Sequence, residues 1–294
     1  MSVILITGAG KGIGLATALH FARKGHTVYA SLRNPDGASE IKQVIADEHL
    51  PLTLLAIDVD DEASVSRGVA HLLAQSGQLD VLVNNAGIGV SGPLETVSLD
   101  VAQHVFQTNY FGAIRMIQAV LPGMRERRSG TIVNISSMYG RLVWATHGHY
   151  SASKHALEAA SEALAQEVRA FNIRVAIIEP GVILTPMMER GRARRQATPL
   201  DPSNPYSDHR RRLGMLHDTQ LRRATLPEAV AETIEHAITT ETPHLRYLVG
   251  EDAHALVHGR QQTTDEEWVE NGRPMTDEAY CELMRQRCGV DLFR

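Results

Sequence analysis

TGAGKGIG, Thr7 to Gly14, follows the apolar run Ser2 to Thr7 and precedes a helical pattern from Ile13 to Lys24. Glycines let backbone N–H groups approach an anion with no side chain in the way, and the following helix N-terminus adds a favourable dipole. A loop between a first strand and a first helix is where a dinucleotide fold holds phosphate. The spacing is G-x-x-x-G-x-G, carried by Gly8, Gly12 and Gly14. It lacks the GxxxxGK[ST] of a triphosphate-binding loop and is not a strict GxGxxG.

Beyond the loop, short β-branched runs alternate with helical patterns. Strands are expected at His26–Leu32, Leu52–Ile57, Leu79–Asn84, Thr131–Ile135, Ile173–Ile178 and Arg246–Val249. Helices are expected at Ala38–Glu48, Glu62–Ser76, Leu99–Leu121, His149–Phe171 and Pro227–Thr239. The strands read as continuous apolar runs, as in a parallel sheet covered on both faces. Alternation alone also fits a (β/α)₈ barrel; the opening loop selects a single Rossmann-type, doubly wound parallel α/β sheet of about seven strands with helices on both faces. The catalytic domain is expected to span residues 1–250. Within it, Ile183 to Ala224 is an arginine-rich lid or helical insertion, and residues 251–294 form a C-terminal extension.

The 294 residues are 43% hydrophobic and 21% charged, with a net charge of −5. This composition suits a soluble globular domain and offers no global positive field for nucleic acid or an anionic membrane. No apolar window reaches membrane-spanning length, and Val3 to Ile6 is too short for a signal peptide. A cytoplasmic protein is therefore expected. Cys281 and Cys288 read as free thiols. The fourteen histidines show no metal-ligand spacing, so no metal is expected.

The second strand ends VYASLRNP. An NAD site usually has an acid there for the ribose 2′-hydroxyl. Here Leu32 stands in its place and Arg33 follows, with Lys11 in the glycine loop on the same side. Two cations and no acid favour a 2′-phosphate, hence NADP(H). Asp58, ending the third strand, suits the adenine amino group.

Three further motifs end or follow adjacent strands: NNAG at Asn84–Gly87, NISSMYG with Ser136 and Ser137, and HYSASKHAL with Tyr150 and Lys154. Tyr150 and Lys154 are four apart and share one helical face. With TGAGKGIG, Asn109 in QTNYFG, and PGVILT at Pro180–Thr185, this set resembles the short-chain dehydrogenases/reductases, in order over residues 1 to about 250. VYASLR and the Ser137 region are similar to 17β-hydroxysteroid dehydrogenases and related carbonyl reductases. The family includes forms with basic residues at the positions of Lys11 and Arg33, which also implies NADP(H).

The resemblance implies catalytic Ser137, Tyr150, Lys154 and Asn109. Tyr150 would be the acid/base, Lys154 would favour its phenolate and bond the nicotinamide ribose, Ser137 would steady the oxyanion, and Asn109 would hold a relay water. Expected cofactor contacts are Thr7, Gly8, Gly10, Lys11, Gly12, Ile13, Gly14, Arg33, Asp58, Val59, Asn85, Ala86, Gly87, Pro180, Gly181, Val182 and Thr185, besides Tyr150 and Lys154. Asn84 would join the wall under the cofactor. Val90, Leu142, Val143, Trp144, His149, Met187 and Met188 are expected to line an apolar substrate pocket, and His147 to contact substrate or lie at the surface. The arginines between Arg190 and Arg223 read as a solvated lid surface or as a site for an acidic substrate.

The expected partner is a small carbonyl or alcohol, and the resemblance implies a dimer or tetramer built through the fourth and fifth helices. The alternatives are an NAD(H)-dependent alcohol or hydroxysteroid dehydrogenase, a non-catalytic NADP(H) sensor, and an epimerase or dehydratase of the extended branch. The loop spacing argues against the last, and the intact Ser137, Tyr150 and Lys154 against the sensor.

Overall fold

The computed structural model describes residues 1–292. Its seven strands are β1 Val3–Ile6, β2 Thr27–Leu32, β3 Leu52–Ala56, β4 Val81–Asn84, β5 Gly130–Ile135, β6 Ile173–Pro180 and β7 Arg246–Val249. They form one sheet in the order β3-β2-β1-β4-β5-β6-β7, and every pairing is parallel. The order reverses between β1 and β4, which opens a crevice at the carboxyl ends of those strands.

The covering helices are α1 Gly12–Arg23, α2 Ser39–Asp47, α3 Glu62–Ser76, α4 Leu99–Phe106, α5 Gly112–Arg127, α6 Gly148–Val168 and, later in the chain, α9 Pro227–Thr239. Successive strand residues point to opposite faces. Ile4, Ile6, Val28, Ala30, Val81 and Val83 pack with Ala18 and Phe21 of α1 and Val230 and Ile234 of α9. Leu5, Tyr29 and Leu82 pack with Val65 and Leu72 of α3, Met116 and Val120 of α5, and Leu164 and Val168 of α6. Both sheet faces are thus buried, which is why the strands lack a polar alternation. Each fully buried Val, Leu or Ile contributes about 1.5–3 kcal/mol.

The single helix expected at Leu99–Leu121 is two helices, α4 and α5, joined by a π-helical turn at Gln107–Phe111. The extra residue in such a turn re-aims side chains, and π-turns often occur at functional sites. The helix also runs past Pro122 to Arg127. Burial of Val120 and Met124 on either side offsets the backbone hydrogen bond that proline cannot make.

The arginine-rich segment read from the sequence as a lid or helical insertion consists of α7 Pro186–Ala197 and α8 Ser207–Arg222, and the tail of α10 Glu251–Gln261, α11 Asp265–Val269 and α12 Asp277–Cys288. They share a third apolar cluster with the segment after β5: Met138, Tyr139, Leu142 and Trp144 meet Leu213 and Leu216 of α8, Leu256 of α10, and Tyr280 and Met284 of α12. Among the described residues no helix is long and apolar enough to cross a membrane.

Candidate active site

The glycine loop fits closely against the end of β4. Gly8 has φ +64°, and a Cβ there would lie 2.8 Å from the Ala86 Cα. A Cβ on Gly14 would lie 2.4 Å from Asn85 Nδ2 and 2.6 Å from the Gly8 oxygen. The loop is fixed from below by Thr7, whose Oγ1 accepts from the backbone N–H groups of Asn85 and Ala86, both at 3.0 Å. Asn85 Nδ2 in turn donates to the Thr7 carbonyl at 2.8 Å. Asn84 points elsewhere, donating to Asn134 Oδ1 inside the sheet.

Gly12, at φ +57°, faces Thr185: a Cβ on it would meet Thr185 Cγ2 at 3.1 Å. Thr185 caps α7, accepting from the Met188 N–H, so α7 starts beside the glycine loop. Lys11 precedes α1 and Arg33 follows β2, and both are exposed. Partial burial, then Arg190 of α7 and then Arg33, hold the Lys11 ammonium below its ordinary pKa. Lys11 thus feels the charges of both Arg190 and Arg33, no acid ends β2, and Leu32 Cβ lies beside Gly10. The sequence groups Arg190 with the arginines up to Arg223, as solvated surface or a site for an acidic substrate, and not with Lys11 and Arg33. The glycine cradle and this cation set fit a phosphorylated dinucleotide.

Asp58 follows β3 and accepts the Asp60 N–H. Val59 is buried against Gly112. Gly181 and Val182 follow Pro180 and are fixed by a tail residue that sequence reading missed: Asp252 Oδ2 accepts from Val182 N–H at 2.7 Å and from Gln220 Nε2 at 3.0 Å.

Ser137, Tyr150, Lys154 and Asn109 are brought together at the ends of β4 and β5. Asn109, in the π-turn, accepts from Ile88 N–H at 2.8 Å and donates to the Ile88 oxygen and to Ser153 Oγ, both at 3.0 Å. Ser153 Oγ donates to the Tyr150 carbonyl at 2.7 Å. Gly87 lies between Asn109 and Lys154: its missing Cβ would be 3.4 Å from Asn109 Oδ1 and 3.8 Å from Lys154 Nζ. That Nζ is 5.9 Å from the Tyr150 ring centre.

Burial raises the Tyr150 pKa, and a hydrogen bond with Ser137 pulls it back down. Burial lowers Lys154 to about 8, opposed by Glu158 one turn along. Ser137 Oγ also accepts from the Tyr139 N–H at 3.2 Å. Among the described residues no three His, Cys, Asp or Glu side chains are grouped to hold a metal.

The expected pocket residues divide. Leu142 and Trp144 are 1% and 5% exposed and face the tail, Trp144 Nε1 donating to the Tyr280 hydroxyl at 3.1 Å. The exposed Val143 accepts from Trp268 Nε1 through its carbonyl. Met187 is exposed at the start of α7, its Sδ near Gly89, while Met188 packs on the third cluster and Val90 is half-buried. His149 lies on the α4 side, in an apolar pocket with Leu99, Phe106 and Phe111. His147 instead joins Tyr150, in an aromatic group with Tyr139 and His217 of α8. Tyr139 stood in the quoted SSMYG stretch, but His217 lies 67 residues beyond Tyr150, and no local pattern marked it.

Several lid arginines have structural partners. Arg212 is 2% exposed and donates to the carbonyls of Arg273 and Met275, with its guanidinium over the Tyr280 ring. Arg195 pairs with Asp218, and Arg211 with Asp208 and Asp277.

Residues 2–196 match the short chain dehydrogenase family. The chain is 36% identical over 249 residues to the 3-ketodihydrosphingosine reductase of Bacteroides thetaiotaomicron, covering 84% of this chain and 87% of that protein. Among solved structures, a short-chain dehydrogenase from Streptomyces avermitilis superposes with a TM-score of 0.78 at 33% identity, over 92% of this chain and 95% of that one. Actinorhodin polyketide ketoreductase with NADPH superposes with a TM-score of 0.74 at 28% identity, over 84% and 95%. With a family match over most of its length and the same parallel sheet, this chain belongs to the short-chain dehydrogenase family and is an oxidoreductase.

Proposed function

We propose that the protein interconverts a ketone or aldehyde with an alcohol, using NADP(H), with Tyr150 as acid and base. The observation that carries this reading is the convergence of Ser137, Tyr150 and Lys154 beside the glycine cradle, with Asn109 linked to Ser153 behind them. Bound NADP(H) would supply or accept the hydride. In reduction the Tyr150 hydroxyl gives its proton to the developing alkoxide, and in oxidation the phenolate takes it back. A phenol is a poor base near neutrality, so a phenolate needs a cation nearby; the Lys154 ammonium provides it. Ser137 donates to the same substrate oxygen and steadies its negative charge. Asn109, held by Ile88, keeps the backbone beside Lys154 in place for a water that returns the proton to Lys154.

Lys11, Arg33 and Arg190, with no acid at the end of β2, support NADP(H) over NAD(H). The likeness to a ketoreductase structure solved with NADPH points the same way. The apolar cluster that includes Tyr150 and Met188 favours an apolar substrate, and the relative named for 3-ketodihydrosphingosine is consistent with a carbonyl one. The test is NADPH oxidation across ketones, aldehydes and keto acids, with Tyr150→Phe alongside. Turnover of at least one carbonyl, reduced by about 10²–10⁴-fold in the variant while NADPH still binds, is expected. Undiminished turnover in Tyr150→Phe would remove the acid/base assignment.

A further inference from the structure

The aromatic group beside Tyr150 contains a polar atom with no partner. His147 lies immediately before α6, its backbone N–H donating to the Trp144 oxygen and its carbonyl accepting from Ser151 N–H. Its ring centre is 4.8 Å from Tyr139, 5.3 Å from His217 and 5.9 Å from Tyr150. Tyr139 and His217 satisfy one another, hydroxyl to Nε2 at 3.1 Å. His147 Nδ1 is buried and has no hydrogen-bond partner among the described residues. The residue as a whole is only half-buried.

An unpaired buried polar atom costs about 1–3 kcal/mol, and such atoms are few in folded proteins. One placed against the reacting tyrosine, inside a wall of rings, has a use when a ligand is present. Burial holds the His147 pKa down to about 4, with the Thr146 backbone a weaker opposing influence and no charged side chain contributing. His217 is likewise held well below its ordinary value by burial, with His147 and Arg195 adding to the effect. A neutral imidazole has one donor and one acceptor nitrogen. It suits a hydroxyl or carbonyl oxygen and offers a carboxylate no charge of its own.

We propose that His147 binds a second, uncharged oxygen of the substrate, a hydroxyl or carbonyl close to the carbon that Tyr150 acts on, and that the enzyme prefers carbonyl compounds bearing it. The inference rests on the carbonyl chemistry proposed for Tyr150. It deepens that reading by naming the substrate class: an uncharged hydroxy-ketone or dicarbonyl whose adjoining part lies against Tyr139 and His217.

The experiment compares a ketone with its α-hydroxy counterpart, matched in every other respect, as substrates for NADPH-dependent reduction. Wild-type kcat/KM should favour the hydroxy-ketone by about 10-fold or more, since a site built to pair a hydroxyl rejects the analogue lacking it. His147→Phe keeps the ring packing and removes both nitrogens. It should lower kcat/KM on the hydroxy-ketone by about 10- to 100-fold and on the plain ketone by less than about 3-fold. His147→Asn, which restores a donor and an acceptor, should recover part of the difference. NADPH affinity, read by fluorescence, should not move in either variant. An equal loss on both ketones would show a packing role and overturn the proposal. So would a wild-type enzyme that turns over both ketones with no preference, a result that needs no variant. Wild-type protein that binds NADPH and reduces no carbonyl would instead refute the carbonyl reading and this inference with it.

Discussion

Lys154 Nζ donates to the backbone carbonyl of Ile135 at 2.8 Å. Ile135 ends β5, two residues before Ser137. The helix carrying Tyr150 is therefore tied to the strand that leads to Ser137 by the cation the tyrosine needs. Burying an ammonium there is unfavourable for stability, and that cost is measurable. The folded-state pKa of Lys154 is about 8 against an ordinary 10.5. Between those values the unfolded chain holds more protons, so this residue makes stability rise with pH across the window. Below pH 8 the full cost, about 3 kcal/mol, is present. Lys154→Met should gain that stability relative to wild type below pH 8, with the gap closing towards pH 10.5, while activity is lost. Urea unfolding of both proteins at matched pH values measures it. A gap that does not change with pH would show that Lys154 titrates normally in the folded protein.

The cations near the glycine loop predict cofactor choice. Arg33 is exposed and unencumbered by any acid at the end of β2, and Lys11 feels both Arg33 and Arg190. A guanidinium bonded to a phosphate is worth about 1.5–3 kcal/mol. Arg33→Ala should weaken NADPH by about 10- to 100-fold and NADH by less than about 3-fold. Arg190→Ala should show the same selectivity to a smaller degree, because it acts from the lid. Titration of both cofactors by fluorescence reads the ratio, and equal losses for the two would remove the 2′-phosphate role.

The tail contacts the segment before Tyr150 through Trp268 and Tyr280. Trp268 Nε1 donates to the Val143 carbonyl at 2.9 Å, Trp144 Nε1 donates to the Tyr280 hydroxyl at 3.1 Å, and the two indoles meet edge to face at 5.2 Å. These contacts fix residues 143 and 144, the segment leading into His147 and Tyr150. Trp268→Phe keeps a ring and removes the N–H. It should destabilise the protein by about 1 kcal/mol and raise KM for the carbonyl, leaving NADPH affinity unchanged. Tyr280→Phe removes only a hydroxyl and should act in the same direction. A matching loss of NADPH affinity would mean that the tail supports the whole fold and not the substrate side alone.

The parts legible in the sequence are those set by neighbours in the chain. The β1–loop–α1 unit, the Tyr150–Lys154 pair on one helical turn, and Ser137 at a strand end each lie within a short window. The alternation of strand and helix was legible because each strand buries both faces, and the third element type, the π-turn, was not. Nothing in QTNYFG separates a π-turn from an α-helix; Asn109 adopts it where its amide pairs with both backbone groups of Ile88. Likewise His217 and Asp252 act on residues 78 and 70 positions away, Tyr139 and Val182. Their roles depend on where α8 and α10 pack, which no local periodicity encodes. Leu142 and Trp144 looked like pocket residues because they precede Tyr150, but α12 covers them.

The α4 and α5 side carries the remaining prediction. Leu99 is 74% exposed, Val101 45% and Phe111 44%, and an apolar pocket lies between Leu99, Phe106, Phe111 and His149. Apolar side chains clustered on the outside of a domain mark a surface that another protein covers. We expect a second copy of this chain to cover it, because α4 and the π-turn present Leu99, Phe106 and Phe111 around this open apolar pocket. Light scattering after size exclusion should give at least twice the 32.3 kDa chain mass. Phe111→Asp would place a charge in the covered apolar surface and should shift the mass to that of a monomer. Phe111 lies two residues from Asn109 but points to the outside, so NADPH binding should survive the change. A wild-type protein that elutes as a monomer at micromolar concentration would show that this surface has no such partner.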